Sequence, residues 1–435
     1  MVIGLCAKDN LYVGRREEAA MNQAASETSG ARPEDSPPGR AAFAFIFITV
    51  LLDMLALGII IPVLPGLIVG FLGGDTAGGA EILGLFGTVW ALMQFLFSPV
   101  LGALSDRFGR RPVILISCLG LGLDFILMAL APSLTWLFIG RMISGITSAS
   151  ISTGFAYITD VTPPDQRAAR FGIIGVAFGA GFILGPAVGG LAGSIDPRLP
   201  FWIAAGLGLT NALYGWLILP ESLPKELRRP FDWRRANPVG ALKLLRSHRE
   251  LTGLAGAYFL GVLAHAVLPI VSVLYLNYKY GWDERQVGFL LAVVGVCSMV
   301  VQGALIAPSI KWLGERKALI GGTLCGAIGF FIYAVAPTGL AFLAGIPWQA
   351  LWGIANPSQM ALMSRRVGAD EQGQLQGANA SIAGIASMIG PGVFSLAFAW
   401  AIRPELGVNL PGTPFALAGV LLLGACAIAW KVTRD

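Results

Sequence analysis

Long apolar stretches, separated by short polar segments, recur along the chain after residue 40. Most are about 20 residues long, the length at which an α-helix crosses the roughly 30 Å hydrocarbon core of a bilayer. The pattern predicts an all-α membrane protein with twelve transmembrane helices. They are called spans 1 to 12 and are placed at 42–64, 81–103, 112–131, 134–159, 168–193, 199–219, 251–278, 286–308, 317–336, 338–363, 374–400 and 412–431.

The composition agrees with this pattern. Hydrophobic residues make up 55% of the chain and charged residues 13%, with a mean hydropathy of +0.71. Soluble domains carry about 25% charged residues, so a soluble globular protein is excluded. The five cysteines form no CxxC pair or Cys/His cluster, which indicates neither a disulfide framework nor a metal site.

Lysine and arginine are distributed unevenly between the loops. If both termini are cytoplasmic, the cytoplasmic loops and C-terminus carry twenty of them and the opposite side four. By the positive-inside rule, this bias predicts a multi-pass membrane protein with both termini cytoplasmic. Because these residues lie in short loops between spans, the net charge of +5 does not indicate a nucleic-acid partner.

The longest hydrophilic connection lies near the middle of the chain and suggests two halves. The expected organisation is a disordered tail at 1–40, an N-terminal six-helix half at 41–220, a cytoplasmic linker at 221–250 and a C-terminal six-helix half at 251–435. Identical residues recur 205 positions apart, as Gly109 and Gly314, Gly172 and Gly377, and Gly185–Pro186 and Gly390–Pro391. Parallel six-span repeats are typical of transporters with two rocking halves.

Charged and amide side chains are rare inside the spans, and intramembrane ionisable groups usually serve transport or proton relay. A carboxyl group in a low-dielectric setting gains a proton more easily than in water, and a nearby cation opposes that gain. A static Asp124–Arg141 ion pair and a packing role for His265 remain alternatives. The predicted proton and substrate path comprises Asp53, Gln94, Asp124, Arg141, His265, Gln302 and Asn379.

The connection between spans 2 and 3 reads GALSDRFGRRPVIL. Its G-x-x-x-D-R-x-G-R-R pattern resembles the signature of the major facilitator superfamily, with matches at Gly102, Asp106, Arg107, Gly109, Arg110 and Arg111. The resemblance implies the major facilitator fold and a cytoplasmic latch formed by these residues. Together with the arginine-rich loops, it suggests the bacterial inner (plasma) membrane as the location. Asp160, at the end of span 4, is an expected ion-pair partner of Arg110 or Arg111.

Span 5 contains the glycine-rich stretch GAGFILGPAVGG, in which small residues allow close helix contact and proline bends the helix. The stretch resembles the antiporter motif of proton-driven exporters in the superfamily. The residues that carry this resemblance are Gly181, Gly185, Pro186, Gly189 and Gly190.

The likeness narrows to the tetracycline-efflux group of drug:proton antiporters through LLDMLALGIIIPVLPGLI, LGLDFILMALAP, GRMISGIT and ADEQGQLQGANASIAGIASMIGPGVF. Those exporters carry an acid in span 9, near Gly326 here, and a histidine in span 8, where this chain has Ser298 and Gln302. These two departures weaken tetracycline, handled as a metal chelate, as the substrate.

The expected function is proton-coupled efflux of a small amphiphilic or drug-like compound by alternating access. The alternatives are a transporter of another metabolite or sugar, or an exporter of a non-drug compound. No enzyme activity is expected, since no nucleophile–base pair or metal cluster lies at membrane depth. We expect no cofactor, although a divalent cation would accompany tetracycline. The expected partners are the substrate, protons and the lipid bilayer, with the protein acting as a monomer.

Overall fold

The computed structural model describes residues 37–148, 151–163, 166–231, 244, 249–368, 371–406 and 409–434. Over these residues it contains helices and no strand. Residues 37–44 begin the first helix, and Phe45–Asp435 form one compact unit. Most of the predicted tail and much of the predicted linker lie outside the described residues.

The helices have the following bounds. Those before the linker are Pro37–Ile60, Leu64–Phe71, Thr76–Phe108, Arg110–Leu130, Leu134–Ser148, Ile151–Val161, Arg167–Gly193 and Leu199–Ile218. Those after it are Arg249–His265, Val267–Tyr280, Glu284–Val300, Ile306–Val335, Gly339–Leu343, Ile346–Trp352, Ala355–Ser364, Gln372–Ile402 and Thr413–Val432. A π-helical turn, Val301–Leu305, links two of the latter.

Ten helical segments of the described chain are long and apolar enough to cross a membrane. One of them, Glu284–Val335, has 52 residues. At 1.5 Å per residue it would be about 78 Å long, more than twice the thickness of a bilayer core. Its backbone breaks at Gly314, so it contains the predicted spans 8 and 9.

The predicted span 10 is interrupted and forms the three short helices between Gly339 and Ser364, none of which is long enough to cross alone. With this span and the double segment counted, the helices are consistent with twelve crossings. The prediction of an all-α membrane protein is confirmed.

The repeat found in the sequence is also visible in the backbone. Gly109 ends the helix of span 2 with φ 108°, and Gly314 interrupts the chain between spans 8 and 9 with φ 76°. Residues with a side chain rarely adopt positive φ, so both connections require glycine. Two equivalent breaks, 205 residues apart, show that spans 2–3 and 8–9 are built alike.

The main contacts between the first and second halves of the chain are made by span 2 with span 11 and by span 5 with span 8, and span 7 also contacts span 2. The two main pairs touch at the end far from Gly109 and Gly314, called here the sealed end. A Cβ at Gly84 would lie 2.6 Å from the Cβ of Ser395, and one at Gly288 would lie 2.5 Å from the carbonyl oxygen of Pro186.

Toward the end that carries Gly109 and Gly314, called here the basic end, glycines of the same helices have open space beside them. Around Gly102 in span 2 and Gly175 in span 5, no neighbouring atom lies within 4 Å of the place a Cβ would take. The close contacts between the two halves given above therefore lie at the sealed end.

Among the described residues, one ion pair crosses between the halves at the sealed end. Arg403, just after span 11, donates to Glu81, in the first turns of span 2. Both side chains are partly exposed. Because the partners belong to opposite halves, this contact exists only while the sealed end is closed.

Candidate functional site

Asp53 lies in span 1, where Asn211 of span 6 provides its hydrogen-bond donor. The Nδ2 of Asn211 lies 3.1 Å from Oδ1 of Asp53 and 3.3 Å from the carbonyl oxygen of Thr49. Asn211 is fully buried. A charged or polar group away from water needs such a partner, so Asn211 positions the carboxylate. Asn211 was not predicted, although it is a lone amide in an apolar span.

Small cavities flank Asp53 on two sides. One is lined by residues that include Thr49 and Cys118, and the other by residues that include Ser117 and Thr147. Spans 1, 3 and 4 thus leave a little room around the carboxylate.

Asp124 and Arg141 lie close together in spans 3 and 4, and each acts electrostatically on the other. No direct ion pair joins them in the described structure, and neither carboxylate oxygen of the buried Asp124 has a well-formed hydrogen bond there, although the Ser144 hydroxyl lies near enough to stabilise the carboxylate. An Nη of Arg141 instead lies 3.7 Å from the sulfur of Met128. The structure therefore does not contain the static Asp124–Arg141 ion pair that the sequence left open as an alternative.

Gln94 and Asn379 do not join these groups. Gln94 is half-buried in span 2. Asn379 is buried in span 11, with its Nδ2 3.2 Å from the sulfur of Met360. Neither residue lines the large cavity described next.

A cavity of about 560 Å³ lies among spans 7, 8, 9, 10 and 12, and His265 and Gln302 line it together. The His265 and Trp352 rings pack with their centroids 5.8 Å apart. Three further amides of span 10, Gln349, Asn356 and Gln359, line it as well. Sequence reasoning missed these amides and Trp352, although polar residues recur along span 10.

Gly326, near the position where the resembled exporters carry an acid, packs beneath Trp352. A Cβ at Gly326 would lie 2.7 Å from the Trp352 ring. The carbonyl oxygen of Gly326 accepts a hydrogen bond from Nε2 of Gln349 at 3.2 Å. In this protein an indole ring therefore occupies the space that a side chain at 326 would need.

Arg110 is the centre of the predicted latch. Its guanidinium lies 2.6 Å from Asp106 and 3.2 Å from Asp160, the partner expected from the sequence. Its backbone N–H donates to Glu221 at 2.8 Å. Glu221 also pairs with Arg228 at 3.8 Å. Glu221 was not predicted, because it follows span 6, far along the chain from the motif.

The other latch residues surround this centre. Arg111 donates to the carbonyl oxygen of Trp216 at 2.7 Å, whereas Arg107 is exposed and lies over the Phe108 ring. Gly102 leaves open space beside span 2. These contacts of Arg110 and Arg111 join them to the first half and to the start of the linker, and none of them reaches the second half.

The second half contains a counterpart of opposite charge. Arg365 lies 2.7 Å from Glu315, and these residues stand 205 positions after Asp160 and Arg110. The acid Glu315 thus stands where the first half has the base Arg110, and the base Arg365 stands where it has the acid Asp160. The inner member is Arg110 in one half and Glu315 in the other, exposed by 12% and 13%.

The glycines of span 5 form two contact faces. Gly181, Gly185 and Gly189 face span 1, where a Cβ at 185 would lie 2.7 Å from the Cα of Gly58. Pro186 and Gly190 face Gly288 of span 8. The predicted antiporter motif therefore lies where span 5 contacts both its own half and the other half.

A helical membrane bundle with two matched repeats, closed at one end, with charged residues inside the spans of one half and a polar cavity in the other, belongs to the class of two-half transporters. The sequence pattern of the Major Facilitator Superfamily matches residues 46–391. The chain belongs to this family, as the connection between spans 2 and 3 predicted.

Known proteins agree with this assignment. The chain is 38% identical to the tetracycline resistance protein, class C, of Escherichia coli, over 82% of this chain and 90% of that protein. It is 37% identical to the class E protein of the same organism, over 81% and 86%. The crystal structure of the nucleoside transporter NupG superimposes with a TM-score of 0.74 at 13% identity, covering 91% of this chain and 99% of that one, and so shows the fold alone.

Proposed function

We propose that this protein is a proton-coupled exporter of a small amphiphilic, drug-like compound, which works by alternating access. The observation that carries the proposal is the set of charged residues inside the spans, Asp53, Asp124 and Arg141, in a bundle whose two halves pack closely at one end. The similarity to tetracycline resistance proteins supports a drug as the transported compound.

The basic end faces the cytoplasm in this proposal, because lysine and arginine concentrate in its loops. Both termini are then cytoplasmic, and the membrane is the inner membrane of a bacterium. The structure corresponds to the inward-facing state, in which the substrate loads from the cytoplasm.

The carboxylates of Asp53 and Asp124 have different roles in proton exchange. Asp53 has a hydrogen-bond donor in Asn211, whereas the oxygens of Asp124 have no well-formed hydrogen bond in the described structure and are free to take up a proton. A proton on Asp124 cancels its attraction for Arg141, since opposite charges interact strongly at low dielectric. Protonation thereby changes the contact between spans 3 and 4.

The protein itself needs no resident cofactor in this proposal, because the proton gradient supplies the free energy. A divalent cation belongs to the cargo if the cargo is tetracycline. Lipid surrounds the spans, and each chain contains a complete path, so a monomer is sufficient.

Transport by the full chain in liposomes tests the proposal. A pH difference, acidic on the side that receives the drug, is expected to drive accumulation of chloramphenicol or tetracycline. A protonophore is expected to stop it. Drug transport at the same rate with and without the pH difference would contradict proton coupling, because a facilitator or a channel would behave in this way.

A further inference from the structure

The large cavity contains two kinds of amide side chain. Nε2 of Gln349 donates to Gly326, and Nε2 of Gln359 donates to the carbonyl oxygen of Leu254 at 2.8 Å. Gln302 and Asn356, by contrast, are exposed to the cavity and have no side-chain hydrogen bond within the described chain. Two amides therefore hold the wall together, and two are available to a ligand.

An aromatic surface adjoins the free amides. His265 is also exposed to the cavity, and its ring packs against Trp352 at an angle of 47°. Trp352 is supported from behind by Gly326 and Phe330. Flat apolar rings stack on such a surface, which adds to the hydrophobic gain of burying them.

The wall carries no carboxylate. Among the described residues that line the cavity there is no Asp, Glu, Lys, Arg or Cys, and His265 and Tyr258 are its titratable groups. Asp53 lines separate, smaller cavities in the first half. A cation removed from water without a counter-charge incurs a large desolvation penalty, whereas a neutral polar group needs only hydrogen bonds.

The residues of the same wall are poorly suited to bind a metal chelate. Magnesium prefers carboxylate and water oxygens, and the described residues contain no group of three or more His, Cys, Asp or Glu side chains able to hold a metal ion. Gly326 and Trp352 fill the place near which the resembled exporters carry their acid.

We propose that this cavity binds an electrically neutral aromatic compound without a metal ion. The ring system of the ligand lies against His265 and Trp352, and the amides of Gln302 and Asn356 bond its hydroxyl and carbonyl groups. The proposal rests on the proposed function, because it names the substrate class that the exporter takes from the cytoplasm.

Equilibrium binding to the purified full chain in detergent tests it with three probes. Chloramphenicol is an uncharged aromatic with hydroxyl and amide groups, ethidium is an aromatic cation, and tetracycline can be offered with magnesium or with EDTA. We expect chloramphenicol to bind about tenfold more tightly than ethidium. We expect tetracycline to bind in EDTA at least as tightly as in magnesium.

Matched variants locate the binding. Gln302→Leu and Asn356→Leu are each expected to weaken chloramphenicol binding about tenfold, the effect of losing one hydrogen bond. Asn409→Leu, at an exposed amide in the loop before span 12, is the control and is expected to bind normally. Chloramphenicol binding is also measured for Trp352→Leu and for its control Trp400→Leu, whose indole is exposed on span 11. Binding is expected to weaken in Trp352→Leu and to stay normal in the control. Trp352→Phe keeps a ring and is expected to retain most of the binding.

Four results would overturn the proposal: ethidium binding as tightly as chloramphenicol, tetracycline binding that requires magnesium, equal binding by Gln302→Leu and Asn409→Leu, or no binding of any probe. These results are independent of the pH-driven assay. If the protein binds chloramphenicol in this cavity but a pH difference does not drive its transport, the binding proposal stands and the proposed function is contradicted.

Discussion

At the scale of single residues, Asp53 shows how a charge is held inside a span. Its one described hydrogen bond comes from Asn211, which also binds the backbone at Thr49. The amide thus ties spans 1 and 6 together at the carboxylate. Asp53→Asn would keep the size and polarity of the side chain and remove only its ability to exchange a proton.

We expect Asp53→Asn to abolish accumulation of drug driven by a pH difference, at unchanged expression. Drug uptake into proteoliposomes measures this. Asp75→Asn is the control, because Asp75 caps the helix of span 2 outside the membrane and asparagine caps equally well. Full pH-driven uptake by the Asp53 variant would exclude the proposed proton role.

The two opposite-charge pairs at the basic end also make a prediction at this scale. Arg110 contacts two carboxylates and is largely buried, whereas the Arg365 side chain is 74% exposed. Exposed pairs contribute about 0.2–1 kcal/mol, and breaking a more buried pair costs more.

We therefore expect Asp160→Asn to lower thermal stability more than Arg365→Gln does. Double-mutant cycles with Arg110→Gln and Glu315→Gln measure the two coupling energies by thermal unfolding in detergent. A coupling energy for Glu315–Arg365 equal to or larger than that for Arg110–Asp160 would contradict this ranking.

At the scale of helices, span 5 depends on glycines that let backbones approach each other. Gly185 and Gly58 face each other across spans 5 and 1, and Gly190 faces Gly288 of span 8. Where lipid replaces water around a helix, such close packing becomes a main source of association. Span 5 is therefore more sensitive to small added groups at these positions than at its basic end.

Gly185→Ala and Gly175→Ala form a matched pair in the same helix. Both gain helix propensity, but only the methyl group at 185 would meet another backbone. We expect Gly185→Ala to lose about 1–3 kcal/mol of stability, as overpacked sites do, and Gly175→Ala to lose none. Thermal unfolding of the purified variants measures the difference, and equal melting temperatures would count against close packing at 185.

The spans, the repeat and the Arg110–Asp160 contact could be predicted, because hydropathy length, a fixed offset and a compact motif are local signals. Asn211 and Glu221 were missed because their partners lie over a hundred residues away in sequence. The second-half cavity was only partly predicted. His265 and Gln302 stood out as polar residues in apolar spans, but their meeting with Trp352 depends on how five spans pack.

At the scale of the whole molecule, the sealed end is closed by packed helices and by one ion pair. Glu81 and Arg403 come from opposite halves, so the pair must break when that end opens. Removing it favours the opposite state only by the modest amount that an exposed pair contributes.

We expect Arg403→Glu to raise the labelling of a cysteine placed at Ser395, which is fully buried beside Gly84. A membrane-impermeant maleimide added from the sealed side, in a background without the native cysteines, measures it. The double variant Glu81→Arg with Arg403→Glu restores the attraction and is expected to return labelling to the starting level. Equal labelling in all three proteins would show that the pair does not hold this end closed.

The opposite charge order of the pairs Arg110–Asp160 and Glu315–Arg365 has a consequence for how such a gene can change. The two members of each pair lie 50 residues apart in different segments, so a short copying event between the repeats would transfer only one of them. Such an event would place arginine against arginine, or aspartate against glutamate, with the inner member of the pair only 12% or 13% exposed. Selection against that repulsion would keep the duplicated segments that carry these pairs distinct in sequence.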